Sequence, residues 1–187
     1  MLIDLSLRVS ISRLNNAAER ERMLLSGHLG THFDVMDKVF PLPFVRRKAI
    51  VFDVSMVNGR DISVEDIDPG LISSEMFTGF YTGFIDKVEY GSARYFNEHP
   101  QLSDALIDIL LDRNISIIGI DCAGVRRGKE HSPKDQYCID RGVFIVENLC
   151  NLDKILQGQK HCFFTANTYP VNFEGLSGLP CRVVGEV

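Results

Sequence analysis

Apolar and polar residues alternate from the start of the chain. Leu5, Leu7, Val9 and Ile11 interleave with Ser6, Arg8, Ser10 and Ser12, the period of two that predicts a half-buried strand. Residues 15–22 are polar and break that pattern, and Met23-Leu24-Leu25 follows. Pro41 and Pro43 exclude regular structure and predict a loop. Residues 49–57 are apolar on both faces, as in a central strand, and stop at Asn58-Gly59. Residues 60–70 are acidic and rich in turn formers, and residues 71–84 read as a strand followed by a loop. Leu102, Leu106, Ile109, Leu110 and Arg113 repeat with the helical period and predict a helix over 102–113. Ser103 is its N-cap and Asn114 its stop. A buried strand over 115–120 follows, so helix precedes strand as in an α/β unit, and Asp121 stands at the strand's C-terminal end. Residues 124–135 are polar and read as a flexible segment. Short helices are expected over 136–141 and around Leu152, Ile155 and Leu156, with strands over 143–146, 161–165 and 181–187. No repeat, low-complexity run or linker divides the chain, so residues 1–187 form a single domain.

Composition narrows the function classes. The balance of 45% hydrophobic and 24% charged residues is that of an ordinary globular domain. A net charge of −5 offers no basic field to nucleic acid or an anionic membrane, and Arg46-Arg47-Lys48 and Arg126-Arg127 read as solvated strand or loop ends. No apolar run approaches the ~20 residues of a membrane span. Asp4 stands where a signal peptide carries basic charge, so a cytoplasmic protein is expected. The five cysteines are far apart and form no Cys-x-x-Cys pair, which argues against a cysteine zinc site and for buried, reduced thiols.

The densest chemistry lies in Gly27-His28-Leu29-Gly30-Thr31-His32-Phe33-Asp34. Two imidazoles and a carboxylate within seven residues are good ligands for a divalent cation such as zinc or manganese. One helical turn would join His28 to His32, but Gly27 and Gly30 are poor helix residues, which favours a bend leading into a strand. In that strand His32 and Asp34 share a face, and the bend has to bring His28 round to them. On spacing alone, a surface loop with two solvated histidines competes evenly with this reading.

The segment resembles the His-x-Gly-Thr-His-x-Asp signature of the cyclase family of metal-dependent hydrolases, which includes bacterial kynurenine formamidase (arylformamidase) and isatin hydrolase. The fuller signature continues Asp-x-Pro-x-His, whereas here Met36 and Lys38 stand at the last two positions. Further segments resemble the family in order: Ile3-Asp4-Leu5-Ser6, Phe52-Asp53-Val54-Ser55, Phe77-Thr78-Gly79-Phe80, His99-Pro100, Ile118-Gly119-Ile120-Asp121, the block from Gly142 through Glu147 to Leu149, and Gly178-Leu179-Pro180-Cys181-Arg182.

The resemblance implies an α/β domain with a mixed sheet curled toward a barrel and helices outside. It implies a divalent metal, zinc or manganese, on His28, His32 and Asp34. In two-metal members Glu147 would join a histidine twelve residues earlier. That position is Asp135 here, with His131 nearby, so a one-metal arrangement is the first expectation. Without the resemblance Glu147 reads as a solvated strand end. The implied reaction is attack of a metal-activated water on the amide bond of a small molecule, an aryl formamide or a lactam, with Lys38 and Glu147 as the catalytic acid/base groups. Lactone hydrolysis, or a degenerate member that binds a metal or ligand without turnover, are the alternatives. Phe33, Phe40, Phe44, Phe77, Phe80, Tyr81 and Phe84 offer material for an aromatic pocket, though each reads first as core. A homo-oligomer, dimer or larger, is also implied.

Overall fold

Successive residues of the strands feed two separate cores. In a computed structural model that describes residues 1–10 and 17–187, the described strands are β1 Leu2–Asp4, β2 His32–Asp34, β3 Arg46–Asp53, β4 Phe77–Tyr81, β5 Ile117–Ile120, β6 Phe144–Glu147, β7 His161–Pro170 and β8 Gly178–Glu186. The described α-helices are α1 Ala17–Ser26, α2 Ala93–Glu98, α3 Asp104–Asp112, α4 His131–Asp140 and α5 Leu152–Leu156. The sheet runs β1-β8-β2-β6-β5-β4-β3-β7, and β7 pairs back onto β8, so seven strands close into a barrel with β1 outside it. Strands β3 to β6 are mutually parallel, and β2, β7 and β8 join antiparallel. This is the mixed, curled sheet expected from the sequence.

Inside the barrel Phe33, Ala49, Val51, Phe77, Ile117, Phe144, Val146, Phe164, Ala166, Leu179 and Val183 pack together. Gly119 is required there: a Cβ on it would lie 2.4 Å from the Phe77 ring. The opposite faces carry Ile50, Phe52, Phe80, Ile118, Ile120 and Ile145, which pack against Leu106, Ile107, Leu110 and Leu111 of α3 and Cys138 of α4. Helix α3 starts as expected, with the Ser103 hydroxyl accepting from the Leu106 N–H at 3.2 Å, and stops before Asn114 at φ +53°. Asp121 is buried at the end of β5 and accepts from the N–H groups of Thr82 and Gly83 and from the Thr82 hydroxyl. Burial pushes its carboxyl up to about 6 against those bonds. It fixes the exit of β4.

Several elements differ from the sequence reading, among them helix α2, which no pattern announced. The opening strand is Leu2–Asp4, ahead of the alternating residues expected to form it; β1 and β2 share one edge of β8, where β1 takes Val184–Glu186 and β2 takes Gly178–Pro180. The expected alternation at Ile11 and Ser12 falls outside the described residues. A helix, α1, occupies the polar stretch before the histidine motif. Helix α4 begins at His131 instead of Gln136, since Pro133 sits in its first turn, where a missing N–H forfeits no helical bond. Among the described residues no helix is long and apolar enough to cross a membrane. All five cysteines are free, Cys122 and Cys138 buried and the other three half-buried.

Candidate metal centre

The histidine motif is shaped by two turns and one strand. Gly27 and Gly30 have φ of +81° and +72°, so the chain bends twice between α1 and β2. A Cβ on Gly27 would lie 1.9 Å from the carbonyl oxygen of Gly178, a backbone contact that nothing but glycine allows. Strand β2 lies between β6 and β8, with Phe33 turned into the barrel and His32 and Asp34 on the outer face. His32 stands directly across from Glu147 of β6.

The side chains then converge. His28 Nε2 lies 3.2 Å and His32 Nε2 3.6 Å from Asp34 Oδ1. Each ring is held from behind: His28 Nδ1 is 2.9 Å from Ser26 Oγ, and His32 Nδ1 is 2.9 Å from the Gly30 carbonyl oxygen. A ring that donates from Nδ1 to such a carbonyl presents its Nε2 lone pair, the form a metal requires. The Gly30 carbonyl also accepts from Asn148 Nδ2, and Thr31 donates to the Asn148 carbonyl, which ties the motif to the end of β6.

Helix α4 supplies the other wall. His131 and Asp135 are one helical turn apart, and His131 Nε2 lies 3.1 Å from Asp135 Oδ2 and 3.5 Å from Glu147 Oε1. Glu147 Oε2 lies 3.6 Å from His32 Nε2, so Glu147 stands between the two groups. Gly124, at φ +115°, makes room for the His131 ring, since a Cβ there would lie 2.7 Å from it. Donor atoms of His28, His32 and Asp34 lie within 4.8 Å of one another, as do those of Asp34, His131 and Asp135.

This arrangement is electrostatically incomplete. Burial opposes ionisation of Asp34, but the His28 and His32 imidazoles beside it prevail and hold its carboxyl well below the usual range. Burial, reinforced by the Asp34 charge, pushes Asp135 and Glu147 up, and Asp135 adds to the effect on Glu147. Burial lowers His131. His32 Nε2, Asp34 Oδ2, Asp135 Oδ1 and Glu147 Oε1 are buried without a hydrogen-bond partner. Such atoms are costly unless something completes them. A divalent cation fits: the donors are imidazole and carboxylate, the Nε2 atoms of His28 and His32 face Asp34, and the charge has the right sign.

The site opens into a cavity of about 540 Å³ walled by Arg22, Met23 and Ser26 of α1, and by Met36, Phe96 and Ser177. Of the residues singled out in the sequence, the structure brings His28, His32, Asp34, Asp135 and Glu147 together, and His131 with them. It does not bring Lys38. Met36 has φ +51°, a conformation closed to the proline of the fuller signature, and the Lys38 N–H closes a turn onto the Val35 carbonyl at 2.8 Å. Lys38 Nζ is thereby directed to Asp37 at 2.9 Å and Asp140 at 3.3 Å, outside the cavity lining. Those hydrogen bonds raise its pKa, the opposite of what a proton acceptor needs, so the acid/base role expected of Lys38 is withdrawn. None of the seven aromatic candidates lines this cavity: Phe33, Phe77 and Phe80 are fully buried, Phe40, Phe44, Tyr81 and Phe84 pack against the cores, and Phe96, not among them, lines the cavity. The pair His131 and Asp135 was readable from its i, i+4 spacing once α4 is known to be helical.

Solved structures share the whole architecture. A potential metal-dependent hydrolase with cyclase activity superposes with a TM-score of 0.77 at 19% identity, over 99% of this chain and 96% of the other. Isatin hydrolase A from Labrenzia aggregata, bound to benzyl benzoate, gives 0.75 at 16% identity, over 100% and 93%. Isatin hydrolase A from Ralstonia solanacearum gives 0.75 at 17%, over 100% and 92%. No curated protein matches the sequence. The family described as Putative cyclase matches residues 3–127, a span that holds His28, His32 and Asp34 and ends before α4. That match takes in more than half of the sequence, and the chain belongs to the cyclase family.

Proposed function

We propose that this chain is a metal-dependent hydrolase of amide bonds in a small molecule, of the aryl formamide or lactam type. The observation that carries the reading is the convergence of His28, His32 and Asp34, with buried donor atoms lacking partners, at the floor of an open cavity. A divalent cation, zinc or manganese, would supply acidified water and a Lewis acid for the scissile carbonyl. His28, His32 and Asp34 would hold it, with Ser26 and the Gly30 carbonyl fixing the two rings. Glu147 takes the proton-handling role. Its buried carboxyl, pushed up by burial and by the charges of Asp34 and Asp135, is suited to accept the proton of the attacking water and return it to the leaving amine. Met23, Met36 and Phe96 give the cavity an apolar wall for an aryl group, and Arg22 adds a cation at its rim. The absence of Lys38 from the cavity supports a second reading, a member that binds metal or a small acid without turnover. Assay of the metal-loaded protein on N-formylkynurenine, isatin and an aryl lactone separates the two. Turnover of an amide, with a ~10²–10⁴-fold lower kcat in Glu147→Gln, supports hydrolysis. Inertness toward all three in protein with full metal supports the second reading.

A further inference from the structure

We infer that Tyr95 and Asn148 are positioning residues for the metal centre: a one-way chain of hydrogen bonds, from the Tyr95 hydroxyl through the Asn148 carboxamide to the Gly30 carbonyl, fixes the tautomer and the aim of His32. The inference rests on the proposed metal-dependent function and specifies how this chain prepares one of its ligands.

Asn148 follows Glu147 at the end of β6 with φ +56°, a left-handed conformation that asparagine adopts more readily than most residues. The turn aims both its side chain and its carbonyl at the histidine motif. The Asn148 carbonyl accepts from the Thr31 hydroxyl at 2.7 Å, and its Nδ2 donates to the Gly30 carbonyl at 3.0 Å. Its N–H donates to the Cys122 carbonyl at 3.0 Å, which anchors it to the exit of β5. Its Oδ1 faces Tyr95 Oη at 2.9 Å. Tyr95 comes from α2, is completely buried, and packs its ring among Phe84, Tyr90 and Phe96.

The directions of these bonds are forced. A carbonyl only accepts, so the Gly30 oxygen takes a proton from Asn148 Nδ2 on one lone pair and from His32 Nδ1, at 2.9 Å, on the other. A turned-over carboxamide would set Oδ1 against that oxygen, two acceptors with no proton between them. With Nδ2 on Gly30, Oδ1 can only accept, and Tyr95 has to donate. Burial pushes the Tyr95 phenol far above its usual range, so it keeps its proton. The peptide on the other side of Gly30 is held as well, because the Gly30 N–H donates to Tyr90 Oη at 2.8 Å. Gly30, at φ +72°, has no side chain of its own to steady it, and groups from distant segments do so instead. His32 Nδ1–H thus meets a carbonyl of fixed direction, and its Nε2, buried without a partner, keeps its lone pair for a cation.

Nuclear magnetic resonance of the imidazole nitrogens in the metal-free full chain, at mildly alkaline pH, reads the ring directly. With His32 assigned by its loss in His32→Gln, the wild type is expected to show the Nδ1–H tautomer alone. Asn148→Gly keeps the backbone conformation, since glycine takes positive φ freely, and removes only the carboxamide. Tyr95→Phe removes only the hydroxyl. Both are expected to show Nε2–H beside Nδ1–H, and to weaken zinc in chelator competition by about 10–100-fold, the effect of losing a group that orients a ligand. Leu110→Ala, in the core outside the barrel, should lower Tm and leave tautomer and zinc affinity at wild-type values, so lost stability alone does not imitate the effect. Circular dichroism confirms folding, and if Asn148→Gly does not fold, Tyr95→Phe decides. A pure Nδ1–H signal or wild-type zinc affinity in a folded variant would overturn the inference, as would a wild-type His32 protonated on Nε2. A wild-type chain that binds no zinc would overturn the proposed function itself, while the tautomer of the metal-free protein still decides the inference.

Discussion

Gly124→Ala tests whether one backbone position admits His131 to the centre. Gly124 has φ +115°, outside the regions an L side chain adopts readily, and its Cβ would sit 2.7 Å from two atoms of the His131 ring and 2.9 Å from the Arg126 carbonyl oxygen. Holding alanine in such a conformation costs about 1–3 kcal/mol. The ring clash adds about 1–3 kcal/mol unless the imidazole moves. A substitution costing roughly 2–6 kcal/mol lowers Tm by roughly 4–24 °C, at about 2–4 °C per kcal/mol for a chain of this size. If His131 swings away instead, the stability loss stays near the backbone part alone and the imidazole leaves Asp135 and Glu147. The double-mutant cycle isolates the ring: in a His131→Ala background, Gly124→Ala should cost about 1–3 kcal/mol less than in the wild type. Thermal melts followed by circular dichroism give the stabilities. An unchanged Tm would refute the argument that Gly124 shapes this wall.

Lys38→Ala should leave kcat and metal content unchanged, because its ammonium is paired with Asp37 and Asp140 outside the cavity; a ~10²-fold loss of kcat would restore it to the chemistry. His99 is fully buried, donates from Nδ1 to the Pro100 carbonyl oxygen at 2.8 Å, and has its pKa lowered to about 4 by burial. The folded state therefore favours neutral His99: its contribution is intact above the unfolded value near 6.5 and is lost as pH falls from there to about 4. At ~1.36 kcal/mol per unit the loss approaches roughly 3 kcal/mol, so denaturant melts should show wild type losing more stability over that window than His99→Gln, and parallel curves would contradict this. Zinc at 100 times its Kd should stabilise the stripped protein by about 2.7 kcal/mol and raise Tm by roughly 5–11 °C, and a Tm indifferent to zinc would count against a native metal.

The parts that sequence disclosed are those whose cause is local. The period-two placement of His32 and Asp34 needs only a strand, and the start of α3 needs only Ser103 and the apolar stripe behind it. Gly27 and Gly30 announced a bend, although the reason for Gly27, the Gly178 carbonyl 1.9 Å from its missing Cβ, is a contact between distant segments. What stayed hidden depends on tertiary placement. Helix α1 has no strong apolar stripe of its own and is recognised only by the motif it leads into, with the His28 N–H bonded to the Met23 carbonyl. The polarity of residues 124–135 suggested a loop, but two of its eight polar residues, His131 and Asp135, turn inward to the centre. Lys38 was misjudged because a motif position carries no information about the turn before it, and Met36 at positive φ redirects the chain.

The most direct test of the central claim is a crystal structure of the zinc-loaded chain with anomalous data at the zinc edge, paired with elemental analysis of His32→Ala. The account predicts one peak at ~2.0–2.2 Å from His28 Nε2, His32 Nε2 and an Asp34 oxygen. It also predicts that His32→Ala, still folded, loses that zinc. A wild-type chain free of metal at saturating zinc, a peak away from these three side chains, or stoichiometric zinc retained in His32→Ala would contradict it.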